Sequence, residues 1–261
     1  MHLPSVGLGT MGIDYPETIE EAIDIGYRHL DTAQIYDNEA VIGEGIAAAA
    51  LPREELTVAT KLWTDTLAVE DVRPGTEASL DRLGLDSVDL LYVHRPRGDY
   101  EPGGTLPALD AVREAGLAEH VGLSNFEPDQ LRRAREVLES PIAAHQVEFH
   151  PYYGDRELLA DAQEYDYPLV AYSPLIGGEA SDDSVLSDIA AKHDTSPAAV
   201  SIAWLLSYEN VVTIPKASTR DHLRANFEAR HLDLDGEDIE RIDDIDREYR
   251  IIDREYAPWR R

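Results

Sequence analysis

Leu56-Thr57-Val58-Ala59-Thr60-Lys61-Leu62 is followed by a helical pattern over Val72–Leu83 and then by Val88-Asp89-Leu90-Leu91-Tyr92-Val93-His94. Both flanking runs are nearly continuous in apolar residues, the pattern of strands covered on both faces. A helix between two such strands is the crossover that parallel strands require. The same unit recurs outward in both directions. Strand-like runs occur at Val6–Gly9, Tyr27–Thr32, His120–Ser124, Ala143–Phe149, Pro168–Tyr172 and Val211–Pro215. Helical stretches separate them at Ile19–Ile25, Glu39–Ala50, Leu106–Ala115, Asp129–Leu138, Glu157–Tyr165, Val185–His193 and Ala198–Ser207, with two more near Thr219–Phe227 and Gly236–Asp246. Eight strand–helix units in 261 residues predict an α/β fold, a (β/α)8 TIM barrel forming one domain over residues 1–261. Local signals agree: Ser196-Pro197 reads as a cap and first helical residue, and Gly26 and Gly116 as left-handed helix ends.

One motif points elsewhere. Gly7-Leu8-Gly9-Thr10-Met11-Gly12 matches G-x-G-x-x-G, and Asp31 follows 19 residues later, where a ribose-binding acid would stand. The dinucleotide-binding motif needs a helix beginning on the glycines. Here Ile13-Asp14-Tyr15-Pro16 intervenes, so the glycines are read as a strand end where backbone and ligand come close.

Composition narrows the function classes. Fifty-two acidic residues face 23 basic ones, giving a net charge of −29. Such a surface repels nucleic acid, which needs clustered Lys and Arg. The apolar runs are too short for a membrane span, and no basic-then-apolar leader is visible at Met1-His2-Leu3-Pro4-Ser5. Cysteine is absent, which excludes disulfides and thiolate metal sites. His145 and His150 are five apart and point to opposite faces of a strand, so no metal site is expected. A cytoplasmic protein is expected, and its acidity, with lysine reduced to Lys61, Lys192 and Lys216, points to a salt-rich cytoplasm where self-repulsion is screened.

In a barrel, chemistry gathers at the C-terminal ends of the strands. Those ends carry Asp31, Lys61 and His94 on three consecutive strands, with Tyr36 five residues after Asp31. Each alone has an ordinary reading, as a turn acid, a packed aromatic or a core imidazole. Together they suit carbonyl reduction, which needs a proton at oxygen as hydride reaches carbon. A free phenol has a pKa of about 10 and is a slow acid at neutral pH; a neighbouring ammonium lowers that barrier. Asp31 would keep Lys61 charged, and His94 would orient the carbonyl.

These residues lie in longer landmarks: His29-Leu30-Asp31-Thr32-Ala33-Gln34-Ile35-Tyr36, Asn38-Glu39-Ala40-Val41-Ile42-Gly43, Thr60-Lys61-Leu62-Trp63, Asp89-Leu90-Leu91-Tyr92-Val93-His94, Val121-Gly122-Leu123-Ser124-Asn125-Phe126, Gln146-Val147-Glu148-Phe149-His150-Pro151 and Ile214-Pro215-Lys216. From Val6 to Asn226 the chain resembles the aldo-keto reductase family. The resemblance implies an NAD(P)H-dependent reductase of small aldehydes and ketones, sugar-derived or keto-acid carbonyls included. It implies Tyr36 as general acid, Lys61 and Asp31 as the tuning pair and His94 as the orienting group. It also implies a cofactor site. Ser124, Asn125 and Gln146 would bind the nicotinamide carboxamide and Tyr172 would stack on the ring. Gly9, Thr10, Met11, Ser173 and Leu175 would contact ribose and pyrophosphate, and Lys216, Ala217, Ser218, His222 and Asn226 the adenosine end. The expected cofactor is NADPH (NADP), with NAD as well.

The sequence departs from that family at three places. His222 stands where NADP-selective members place Arg; a free imidazole is mostly neutral at pH 7 and lacks the guanidinium fork, which opens the site to NADH. Arg95 replaces the usual Trp after the catalytic His, placing a charge at the pocket rim beside His94 and favouring polar or acidic substrates. The loop Arg95–Gly104 and the tail Arg247–Arg261 are short, so a shallow pocket is expected, walled by Trp63 and further by Phe126 and Trp259. The expected partner is a small-molecule carbonyl, with no nucleic acid or membrane, and the protein is expected as a monomer. Two rival readings are a nicotinamide-binding sensor or regulatory subunit with little turnover, and a barrel of unrelated chemistry. The intact Tyr36, Lys61 and His94 argue against the first.

Overall fold

The computed structural model describes residues 1–252. Its strands are β1 (Leu8–Gly9), β2 (His29–Asp31), β3 (Thr57–Leu62), β4 (Val88–Val93), β5 (Ala118–Ser124), β6 (His145–Glu148), β7 (Leu169–Tyr172) and β8 (Val211–Thr213). All neighbours pair in parallel, in the order β1 to β8. The sheet curls until its first and last strands meet. Val6 bridges Thr213 in parallel, Gly7 N–H donates to Thr213 O at 2.9 Å, and Thr213 N–H donates to Ser5 O at 3.0 Å. Eight parallel strands alternating with helices in one domain match the architecture that the repeating unit predicts.

Helices cover the outside: α1 (Pro16–Ile25), α2 (Glu39–Ala48), α3 (Val72–Leu83), α4 (Pro102–Glu114), α5 (Pro128–Val137), α6 (Arg156–Glu164), α7 (Ser184–Lys192), α8 (Pro197–Leu206), α9 (Arg220–Glu228) and α10 (Gly236–Asp243). Their starts are chemical. Ser196, Thr219, Asp155, Asp183 and Asp235 each accept a hydrogen bond from a first-turn N–H, and Glu127 forms a capping box with Gln130. Gly26 and Gly116 do take positive φ, 127° and 76°. The start of α4 differs from the sequence expectation of Leu106. It begins at Pro102, and Pro107, which removes one N–H from the ladder, is carried inside the helix.

Alternation along the strands builds two cores and the site. Val58, Leu91, Val93, Leu123 and Val147 face the helices in one large cluster. Ala59, Leu90, Tyr92, Ala144, Val170 and Val212 fill the inside of the curled sheet in a second. Side chains two residues apart share a face. The inward positions therefore continue, at the C-terminal ends, as Asp31, Lys61, His94, Ser124, Gln146, Glu148 and Tyr172. The fold needs no other device to gather these groups at one edge.

The glycines of the rejected motif are explained by the chain itself. A Cβ on Gly7 would lie 2.5 Å from His29 Nδ1, and one on Gly9 would lie 2.7 Å from Ile214 O. Both permit close contact where β1 meets its neighbours, and helix α1 begins only at Pro16. No helix of the described residues is long and apolar enough to cross a membrane.

Candidate active site

Tyr36 ends a short 3-10 turn, Gln34–Tyr36, followed by Asp37 in the left-handed conformation (φ 55°). Two amides hold this turn. Asn38 Nδ2 donates to Thr10 O at 2.8 Å and Ile13 O at 3.0 Å. Gln34 Oε1 accepts from Trp63 N–H at 2.7 Å and from Thr66 Oγ1 at 2.9 Å, and its Nε2 donates to Gly75 O at 3.0 Å. Asn38 thus ties the Tyr36 turn to the β1 end and Gln34 ties it to the β3 end. Neither amide carries a role in the sequence reading, although both stand within its landmarks; an amide on either side of a lone Tyr was the available signal.

Beneath the phenol lies a buried ion pair. Lys61 Nζ is 2.5 Å from Asp31 Oδ1 and donates to Thr32 O at 2.8 Å, with both side chains 2% exposed or less. Gln146 Nε2 donates to the other carboxylate oxygen, Asp31 Oδ2, at 2.7 Å. Lys61 Nζ lies 5.1 Å from the Tyr36 ring centroid. Burial opposes charge on Lys61, but Asp31 and Tyr36 outweigh it and hold its pKa above the ordinary value. Tyr36 itself is raised by burial, with the Lys61 ammonium pulling the other way. The net sign differs from the sequence expectation of a lowered phenol: desolvation exceeds the attraction of the ammonium. Tyr36 is therefore fully protonated at neutral pH, ready to donate, and Lys61 limits how far burial makes it a weaker acid.

His94 completes the group. Its ring meets Tyr36 edge-on at 5.9 Å between centroids and Trp63 edge-on at 4.9 Å. Burial, Lys61 and Arg95 together push its pKa well below 6.5, so the imidazole is neutral. A neutral ring has one N–H to donate and one nitrogen to accept, which suits orientation of a carbonyl better than proton delivery. Arg95 is placed differently from expectation. It is buried at 6% exposure, not set on the rim, and its charge acts on His94, Tyr36 and Tyr172. The Arg95 charge thus acts from a buried position in the site.

The expected nicotinamide contacts are joined to this group. Ser124 and Gln146 face each other in register across β5 and β6. Asn125, left-handed at φ 61°, donates from Nδ2 to His94 O at 2.9 Å and to Ser124 Oγ at 2.9 Å, and its Oδ1 accepts from Tyr172 OH at 2.8 Å. Gly9, Ser173 and Leu175 are half-buried and Met11 is 60% exposed. Thr10 is buried, its hydroxyl bonded to Asp31 O at 3.0 Å, so its side chain serves the fold. The adenosine candidates lie apart, between the end of β8 and α9. Lys216, Ser218 and His222 are exposed, Ala217 is buried, and Asn226 is buried with an Nδ2 that has no hydrogen-bond partner in the structure. A buried amide with an unmet donor fits a ligand edge that would accept from it. Phe126, expected as a pocket wall, is instead core at 1% exposure, edge-on to Tyr100. Trp259 falls outside the described residues.

The comparisons with known proteins agree with this geometry. Residues 6–247 match the family model of the Aldo/keto reductase family. Methylglyoxal reductase DkgB of Escherichia coli O157:H7 is 35% identical over 98% of this chain and 97% of its own length. Glyoxal reductase of Bacillus subtilis is 35% identical over 96% of this chain and 92% of its own. A solved structure described as a putative 2,5-diketo-D-gluconic acid reductase B superposes with a TM-score of 0.94 at 32% identity, over 98% of this chain and 92% of that one. The chain belongs to the aldo/keto reductase family, and it is an NAD(P)H-dependent, carbonyl-reducing oxidoreductase.

Proposed function

We propose that the protein reduces small aldehydes and ketones, 2-oxoaldehydes foremost, within a closed (β/α)8 barrel spanning the chain, and that Tyr36 delivers the proton. The observation that carries this reading is the fully buried Lys61–Asp31 pair beneath a protonated Tyr36, with a neutral His94 at its side. A bound reduced nicotinamide would supply hydride to the carbonyl carbon. The chain does the rest. Tyr36 and His94 hold the carbonyl oxygen between a phenol O–H and an imidazole N–H. As negative charge develops there, the Tyr36 proton moves to the oxygen. The resulting phenolate faces the Lys61 ammonium, which stabilises it in a site with little water. Asp31, braced by Gln146, keeps that ammonium charged and aimed. Ser124, Asn125, Gln146 and Tyr172 would hold the nicotinamide end, and Asn226 with Lys216, Ala217, Ser218 and His222 the adenosine end. Arg95 and Trp63 would border the carbonyl, and the Arg95 charge favours polar, oxygen-rich substrates. The names of the DkgB and glyoxal reductase relatives support small dicarbonyls as the class. We place the protein as a monomer in a salt-rich cytoplasm.

The test is oxidation of NADPH and, separately, NADH with glyoxal, methylglyoxal and a panel of small ketones, followed by absorbance in concentrated KCl. Turnover with either cofactor is the expected result. Cofactor bound without turnover on any carbonyl would favour the sensor reading instead. His222 makes a second expectation. Both cofactors are used, and His222→Arg shifts kcat/KM toward NADPH by about tenfold, because a guanidinium fork meets the 2′-phosphate that an imidazole meets poorly. An unchanged ratio would remove position 222 from cofactor choice.

The net charge of −29 gives a stability expectation. Self-repulsion is screened over roughly 8 Å at physiological ionic strength and over shorter distances at molar salt. The melting temperature therefore rises by roughly 5 °C or more between dilute buffer and molar KCl. Indifference to KCl in a thermal melt would remove the high-salt reading.

A further inference from the structure

Glu148 closes β6 on the inward face, two residues beyond Gln146, and the chemistry above gives it no task. It is buried at 3% exposure beside His150 at 1%. His150 Nδ1 accepts from Tyr152 N–H at 3.2 Å, so the ring proton sits on Nε2 and is donated to Glu148 Oε1 at 3.0 Å. The carboxylate also accepts two main-chain N–H groups from far along the chain: Ile251 on Oε1, and Ile252 on Oε2 at 3.1 Å. A charged acceptor with paired N–H donors is a strong anchor.

The segment it grips crosses the strand ends. Tyr249 N–H donates to Tyr152 O at 3.1 Å. Arg247 pairs with Glu179 at 2.7 Å and lies 4.5 Å over the Tyr152 ring. Arg250 lies 4.3 Å over the Tyr153 ring, and Ile251 packs against Gly177, in the turn after β7. Arg250, Glu148 and Asn125 border one small cavity. Asn125 in turn is bonded to His94 O and Tyr172. The segment therefore stands one side chain, Asn125, away from the His94 main chain and the Tyr172 hydroxyl.

We infer that Glu148, oriented by His150, is a positioning residue that fastens residues 247–252 over the ends of β6 and β7 and so fixes one wall of the carbonyl-binding pocket. This rests on the proposed reductase function, so the test has one readout that does not depend on turnover. Glu148→Gln keeps the shape but turns one acceptor oxygen into an N–H donor facing a backbone N–H. Ile252→Pro removes a donor from the segment without touching the buried carboxylate, which covers the case in which Glu148→Gln fails to fold. In both variants trypsin should cleave after Arg247 and Arg250 about tenfold faster than in the unaltered protein, because cleavage needs the segment released. KM for methylglyoxal should rise about tenfold with kcat within about twofold, the pattern of lost binding that is equal in ground and transition states. Unchanged trypsin rates in both variants would overturn the fastening. Faster cleavage with unchanged KM, or a fall in kcat alone, would overturn the role as a pocket wall. Should the unaltered protein turn over no carbonyl, the functional reading fails, and the trypsin comparison still decides the fastening.

Discussion

Tyr36→Phe abolishes carbonyl reduction and leaves cofactor binding in place. The substitution removes one oxygen. The ring remains, edge-on to His94 at 5.9 Å and near Lys61 Nζ at 5.1 Å, so the packing that shapes the site persists. What disappears is the proton donor. A positioned general acid contributes about 10²- to 10⁴-fold, so kcat/KM should fall by about a hundredfold to ten-thousandfold. The cofactor dissociation constant, read by fluorescence quenching, should stay within about twofold, since the role proposed for the phenol is toward the substrate carbonyl. Full activity in Tyr36→Phe would sink the assignment. Burial holds the phenol above its ordinary pKa against the pull of Lys61. The acid is then in its active, protonated form throughout the neutral range. Activity of the unaltered protein should fall through loss of this proton only as pH rises into the strongly alkaline range, with no loss from this group on the acid side.

The gathering of Asp31, Lys61 and His94 is legible because strand ends are legible. Lys61 closes a run of near-continuous apolar character and His94 follows another, and a parallel barrel places such ends at one mouth whatever the intervening helices do. Helix α3 falls on Val72–Leu83, the range its periodicity predicts, because apolar spacing and the terminal Gly84 agree. The start of helix α4 is not legible locally, because Pro107 weakens helical character while packing of Leu106, Leu109 and Val112 overrides it. Burial of Arg95 and Phe126 was not legible either. Exposure depends on what loops from other units lay over a position, and no local pattern records that. The sign of the Tyr36 shift failed for a related reason: the sequence names the neighbouring charge but not the depth of desolvation, and depth is the larger effect here. Gln34 and the Asn38 Nδ2 group act through bonds to residues 25 to 41 positions away, so their amides read locally only as turn residues.

The second large effect is on stability, and it separates the Lys61–Asp31 pair from the catalysis proposed for it. Asp31→Asn keeps the shape of the acid, turns one of its two acceptor oxygens into an N–H donor, and leaves Lys61 as a buried charge without its counter-ion. Breaking a buried pair from one side costs about 3–5 kcal/mol, whereas replacing both members with groups that need no charge is often close to neutral. Asp31→Asn should therefore lose about 3–5 kcal/mol in denaturant melts, and Asp31→Asn with Lys61→Met should recover most of that loss while remaining inactive. The pH dependence follows from the directions of the shifts. In the unaltered protein Asp31 and Tyr36 hold Lys61 above its ordinary pKa, so its stabilisation is complete below the unfolded value of about 10.4 and is lost only as pH climbs through the folded value. In Asp31→Asn the main raising influence is gone and burial now dominates, which drives Lys61 below the unfolded value. The unfolded chain then binds more protons than the folded one, so the stability of Asp31→Asn rises with pH toward about 10, where the unaltered protein shows no such gain from this residue. The double variant, with no lysine to titrate, should show neither trend. A double variant as unstable as Asp31→Asn, or an Asp31→Asn stability indifferent to pH, would mean that Asp31 supports the fold through its hydrogen bonds to Gln146 and not through charge on Lys61.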